Sequence, residues 1–146
     1  MSFSESTRFS RAKYEQSLRW CSETGHVQPK HLLYPRTKGF IATVEQLRAA
    51  SHVKAVYDLT LWYQQGDRFQ KAPSMWDTLS RPGLSSHMGY KFHVYVQRFP
   101  IHSLPEASEE LAVWLEKRGL EKGDWLEMQR QNSASLMSLE EKSAAD

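Results

Sequence analysis

Val53-Lys54-Ala55-Val56-Tyr57-Asp58-Leu59-Thr60-Leu61-Trp62-Tyr63 is the stretch on which the fold turns. β-Branched and aromatic residues dominate it, and side chains along an extended chain alternate between two faces. Tyr57, Leu59, Leu61 and Tyr63 therefore share one face, with Asp58 and Thr60 on the other. A second strand is predicted over Phe92–Phe99, stopped by Pro100, which has no N–H to give a ladder. Between the two, residues 64–91 carry Gly66, Pro73, Pro82, Gly83 and Gly89, and read as a long loop with one helical turn near Trp76. Loops of that length are usually functional or mobile.

On the amino-terminal side, Ser10 reads as the N-cap of a helix over Arg11–Glu23, with Gly25 as its stop. Leu32-Leu33-Tyr34 reads as a short strand closed by Pro35, and Gly39 as a turn. Thr43 and Gln46 have capping-box spacing, which predicts a helix opening there and running through Ala49. On the carboxyl-terminal side, Pro105 is suited to a position just inside a helix start, and Leu111, Trp114 and Leu115 follow at helical spacing. A further helix is predicted over Glu121–Gln131, then a frayed or disordered tail of Ser, Ala, Glu and Lys. The alternation of strand and helix gives the class as α/β, with no internal repeat.

The chain has 146 residues, 40% of them hydrophobic and 12% aromatic, which suits a packed domain and argues against disorder over most of its length. Cys21 is the one cysteine, so no internal disulfide forms; a reducing compartment and a buried packing role are expected for it. No apolar run approaches the ~20 residues of a membrane span, and no signal-peptide pattern is present, so the chain alone is expected to be soluble or peripheral. Residues 1–100 hold 14 Lys/Arg against 7 Asp/Glu, and residues 101–146 hold 5 against 10. A basic excess of this kind suits an anionic lipid surface, a phosphorylated substrate or nucleic acid, and an ordinary solvated surface accounts for it as well.

Glu5-Ser6-Thr7-Arg8 carries the most pointed chemistry. A guanidinium beside two hydroxyl residues, just before a helix, can hold a phosphate through two parallel hydrogen bonds, with hydroxyl donors and a helix N-terminus assisting. A solvated arm would have the same composition. The six histidines (His26, His31, His52, His87, His93 and His102) all lack an aspartate five residues on; His52 and Asp58 come nearest, one residue too far apart. No zinc spacing and no glycine-rich nucleotide loop is present. Tyr90, Phe92 and Tyr95 beside Lys91 and Arg98 could stack on bases, but strand alternation explains the same aromatics, and no nucleic-acid partner is expected.

Phe3-Ser4-Glu5-Ser6-Thr7-Arg8 resembles the Phe-Pro-Glu-Gly-Thr-Arg motif of the glycerolipid acyltransferases. His31-Leu32-Leu33-Tyr34-Pro35-Arg36-Thr37-Lys38-Gly39-Phe40 resembles that family's later Leu-Pro-Arg-Thr-Lys-Gly-Phe segment. Val56-Tyr57-Asp58-Leu59-Thr60, then Val96-Gln97-Arg98-Phe99-Pro100-Ile101 with Leu104-Pro105-Glu106, continue the likeness in order. Trp114-Leu115, Glu121-Lys122 and Leu126-Glu127 extend it into a segment typical of the eukaryotic, fungal-like branch, so that it covers about residues 3–131.

The resemblance implies the later half of an α/β acyltransferase domain with a mixed sheet and a carboxyl-terminal helical extension. Residues 1–63 would close the catalytic domain, 64–131 would form a C-terminal domain, and 132–146 the tail. It implies acyl transfer from acyl-CoA, as co-substrate, to 1-acylglycerol-3-phosphate or a related lysophospholipid, with no further cofactor. Glu5, Ser6, Thr7 and Arg8 would bind the acceptor phosphate, and Pro35 would shape the acyl-donor side. Two positions depart from the motif: Ser4 replaces proline, and Ser6 replaces the glycine that lets backbone approach phosphate. The family's His-x4-Asp pair, the general base and its orienting carboxylate, has no counterpart here, so the chain is expected to be inactive alone. The endoplasmic reticulum or another endomembrane is the implied location, with peripheral membrane contact; a non-catalytic lipid- or partner-binding module is the alternative.

Overall fold

Ser10 starts the first helix as the sequence predicts. Its extended backbone and its hydroxyl, which accepts from the Lys13 N–H at 3.4 Å, open α1 over Arg11–Thr24. Gly25 ends it at φ 75, a left-handed conformation that costs glycine nothing, and its N–H returns to the Cys21 carbonyl. The computed structural model describes residues 7–66, 68–70, 72–80 and 83–143. Within these follow α2 (Thr37–Arg48), β1 (Ala55–Gln65), β2 (Arg68–Gln70), α3 (Met75–Ser80), β3 (Tyr90–Pro100), a 3₁₀ turn over Ile101–Ser103 and α4 (Ser108–Ser143). The sheet order is β2-β1-β3, and helices with a sheet bear out the α/β class. Tyr63 pairs with Gln70 and Gln65 with Arg68, antiparallel. Hydrogen bonds from Gly66 N–H to Gly89 O and from Ile101 N–H to Lys54 O bracket β1 and β3, whose pairing is antiparallel too.

The residues divide into two compact units: those up to Asp58 with Gln97–Trp125, and Leu59–Val96 with those from Leu126 onward. In the first, Val44, Leu104 and Leu111 form the core, flanked by Phe40, Ile41, Val56, Phe99, Ile101 and Trp114. Trp114 stacks on Phe40 at 5.8 Å and meets Phe99 edge-on at 5.2 Å. Arg48, at the end of α2, donates to the carbonyls of Leu104 (2.9 Å) and Glu106 (3.4 Å), tying that end to the turn ahead of α4. Basic charge at a helix C-terminus is favourable in itself.

In the second unit the sheet is turned the opposite way from a simple hydropathy reading. Thr60 is 4% exposed, whereas Leu59 and Leu61 are 44% and 51% exposed. The polar side of β1 therefore faces inward. Gln64 links it, donating to Ser133 Oγ at 3.1 Å and bonding His93 Nε2 at 2.8 Å, while Trp62 stacks on His93 at 4.4 Å. Buried polar groups are tolerated when paired in this way.

Four local expectations are corrected. Leu32–Tyr34 is irregular rather than a strand, because side chains satisfy its backbone: Gln28 Nε2 donates to Leu32 O at 2.7 Å, and Tyr34 N–H donates to Ser17 Oγ at 3.3 Å. Helix α2 begins at Thr37, so Gly39 lies inside it, and Thr43 is no cap; its hydroxyl donates to Gly39 O at 2.8 Å. The two carboxyl-terminal helices are one. Gly119 and Gly123 do not break it, since Gly119 packs on Pro29 and Pro35 and Gly123 on the backbone of Lys30. That helix continues through Ser143, past the residues from 132 expected to fray.

Candidate functional site

The anticipated phosphate-reading loop is described only in its second half; Glu5 and Ser6 lie outside the described residues. Thr7 and Arg8 are exposed and lead directly into α1. Lys13 Nζ donates to Thr7 Oγ1, which brings an ammonium from the first turn of the helix onto the loop. Arg11 is held by Glu15 at 3.0 Å, and the first turn contains no acidic residue. The loop thus has two cationic side chains, a hydroxyl and the positive end of a helix, a combination that attracts an anion. Lys13 is the member sequence reasoning missed; its position three residues after the N-cap was the available signal.

Pro35, expected on the acyl-donor side, is buried. Its ring lies beneath α4, where a Cβ added to Gly119 would meet Pro35 Cγ and Cδ at 3.6 Å and Pro29 Cγ at 3.4 Å. The site residues therefore rest on different elements: Thr7 and Arg8 at the start of α1, Pro35 in the segment that α4 covers.

Beside Pro35, the Tyr34 hydroxyl donates to Glu116 and lies 2.9 Å from His26 Nδ1. Glu116 Oε2 is 3.8 Å from that nitrogen, and Trp20 stacks on the His26 ring at 5.3 Å. Burial and the carboxylate that its proton serves push the Tyr34 phenol well above its ordinary value. The arrangement orients His26 without an aspartate nearby in sequence. The partners are 82 positions apart, so spacing gave no hint of it. Next to it, Ser17 Oγ donates to Gln28 Oε1 at 2.6 Å and Cys21 Sγ to the same oxygen at 3.3 Å. Burial raises the Cys21 thiol pKa, an inert packing cysteine as its sequence neighbours indicated.

Asp58, on the inward face of β1, receives Lys122 Nζ and lies 3.9 Å from Arg118 Nε. Arg118 also donates to Gln97 and Glu121 and lies 5.0 Å over the Phe99 ring. Asp58 Oδ2 and Arg118 Nε are buried without a hydrogen-bond partner. The cluster pins α4 to β1 and gives Asp58 a structural ion pair. Among the described residues, no group of three or more His, Cys, Asp and Glu side chains is placed to hold a metal, and no helix is long and apolar enough to cross a membrane.

The family described as "Acyltransferase C-terminus" matches residues 84–132. The chain is 38% identical over 120 residues to the human 1-acyl-sn-glycerol-3-phosphate acyltransferase delta, covering 81% of this chain and 28% of that protein. It is 34% identical to the mouse gamma form, covering 88% of this chain and 31% of the relative. It is 32% identical to chicken lysocardiolipin acyltransferase 1, covering 85% and 30%. It thus spans under a third of the length of these relatives. No solved structure matches it. The ordered blocks of motif residues, the α/β fold and these similarities together show that the chain belongs to the glycerolipid acyltransferase family, corresponding to its carboxyl-terminal part.

Proposed function

We propose that these residues form the acceptor-reading portion of an acyl-CoA-dependent lysophospholipid acyltransferase, acting on 1-acylglycerol-3-phosphate or a closely related lysophospholipid at an endomembrane such as the endoplasmic reticulum. The observation that carries this reading is the cationic loop of Thr7, Arg8 and Lys13 at the start of α1, in a chain similar to acylglycerol-phosphate acyltransferases. By motif likeness Glu5 and Ser6 belong to the same phosphate site, with Arg8 gripping the phosphate and Thr7 adding a hydroxyl. Pro35 fixes the segment bordering the acyl donor, held by its packing under Gly119.

Chemistry on the acceptor hydroxyl requires a base. A positioned general base contributes about 10²–10⁴-fold in rate, and none of the six histidines has the aspartate spacing that the family uses. The 146 residues by themselves therefore bind substrate without turning it over. The test is release of free thiol from acyl-CoA in the presence of lysophosphatidate and the purified chain. The expected result is no release above background. Turnover that disappears in His52→Ala or His26→Ala would overturn the proposal.

A further inference from the structure

Strand β3 stands at an edge of the sheet, with β1 on one flank and no strand among the described residues on the other. Along a strand, the N–H and C=O of successive residues point alternately to the two flanks. The bond from Gly66 N–H to Gly89 O fixes the phase, and the ring contacts of Trp62 with His93 and Tyr63 with Phe92 keep the same register. Odd-numbered residues of β3 therefore bond β1, and even-numbered ones face away from it. Tyr90 obeys this: its N–H turns outward, to the Leu84 carbonyl at 3.0 Å. Beyond it, the outward N–H and C=O groups of Phe92, Val94 and Val96 meet no hydrogen-bond partner among the described residues. Their side chains are 51%, 52% and 51% exposed. Edge strands that stay single are usually guarded by charge, proline or a bulge. These three outward positions carry neither charge nor proline.

We propose that this edge pairs with the same edge of a second copy of the chain, antiparallel, about a two-fold axis at Val94. Outward groups can bond only outward groups, so even-numbered residues must meet even-numbered residues across the junction. Centring the pair on Val94 sets Phe92 opposite the partner's Val96 and Val94 opposite the partner's Val94. Each of the three residues then gives one backbone hydrogen bond and receives one. An aromatic ring opposite a β-branched side chain is a favourable cross-strand pair, and this register makes it twice. On the other face His93 falls opposite the partner's Tyr95, so no like charges are set against each other between Phe92 and Val96. A two-fold interface has to match itself under rotation, and Phe92, Val94 and Val96 do so. A foreign strand would satisfy the same backbone groups, but it would not call for side chains that pair with their own copies.

The experiment is sedimentation equilibrium of the full chain over a range of concentrations, in which wild type should show a reversible dimer. Val94→Pro removes an N–H that β1 does not use, and proline is tolerated at an edge position whose N–H faces solvent. It should keep the circular dichroism of wild type while weakening dimerisation at least about tenfold, since a donor is lost from both copies. Val94→Lys opposes two ammonium groups across the axis and should weaken it as well; it decides the matter if Val94→Pro fails to fold. Cysteine cross-linking in a Cys21→Ala background reads the register. In Val94→Cys the two Cα atoms lie about 5.5 Å apart, within disulfide reach, so mild oxidation should give a covalent dimer. In Phe92→Cys each residue lies four positions, roughly 13 Å, from its own copy, and no such dimer should form. A wild-type chain that stays monomeric at every concentration overturns the proposal and leaves the edge to a different polypeptide. So does a dimer that Val94→Lys leaves intact, or Phe92→Cys that cross-links as readily as Val94→Cys.

Discussion

Replacing Gly123 by alanine sets two opposed effects against each other at a single position. Alanine is favoured over glycine inside a helix by about 0.8–1.0 kcal/mol. At Gly123, however, a Cβ would sit 2.7 Å from Lys30 N and 2.8 Å from Lys30 O, both backbone atoms that cannot swing aside. Overpacking of this kind costs about 1–3 kcal/mol, and a clash with backbone belongs at the upper end. The net expectation is a loss of about 2 kcal/mol, a fall in Tm of roughly 4–8 °C for a chain of this size. Gly119 is the control on the same helix. Its Cβ would make ordinary contacts of 3.4–3.6 Å with the Pro29 and Pro35 rings, so Gly119→Ala should be neutral or up to about 1 kcal/mol stabilising. Both variants are read by thermal and urea unfolding followed by circular dichroism. A Gly123→Ala chain as stable as Gly119→Ala, or more so, would refute the close packing of α4 on the Pro29–Lys30 backbone.

Two further outcomes follow from the same unit. Asp58→Asn takes the Asp58 carboxylate from Lys122 and Arg118, while Arg118 keeps Glu121, and should cost about 1.5–3 kcal/mol, whereas Asp58→Leu combined with Lys122→Met should cost clearly less; equal losses in urea unfolding would show the ion pair to be idle. Cys21 and Tyr34 both have folded pKa values raised above ordinary, so the stability they contribute is complete below the ordinary values of 9.0 and 10.0 and is lost as pH rises beyond them. The alkaline fall in Tm should therefore flatten in Cys21→Ala and Tyr34→Phe, and an unchanged slope in both would contradict the burial of these groups.

What the sequence made legible was local. Ser10 and Gly25 bounded α1 because capping and left-handed glycine are properties of a few adjacent residues. The strands around Tyr57 and Phe92 followed from alternation. Which face of β1 turned inward did not, because that depends on partners far along the chain: Gln64 meets Ser133, and Asp58 meets Lys122. The same reason hid the Tyr34–Glu116–His26 arrangement and led Leu32–Tyr34 to be read as a strand, when Gln28 and Ser17 were completing its backbone bonds. Gly119 and Gly123 resemble helix breakers until the approach of Pro29, Lys30 and Pro35 is known. At the candidate site, Thr7 and Arg8 were legible from motif likeness, while the Lys13 contribution needed the turn of α1 to bring it back onto the loop.

The assignment of Arg8 is tested most directly by calorimetric titration of the chain with a short-chain lysophosphatidate, held below its micelle concentration, against wild type, Arg8→Lys and Arg8→Ala. A charge-assisted hydrogen bond contributes about 1.5–3 kcal/mol, so Arg8→Ala should weaken binding by roughly 10- to 100-fold. Arg8→Lys should fall between, since it keeps the charge and loses the two-pronged grip. Equal affinity across all three proteins would contradict the reading of this loop as the acceptor-phosphate site.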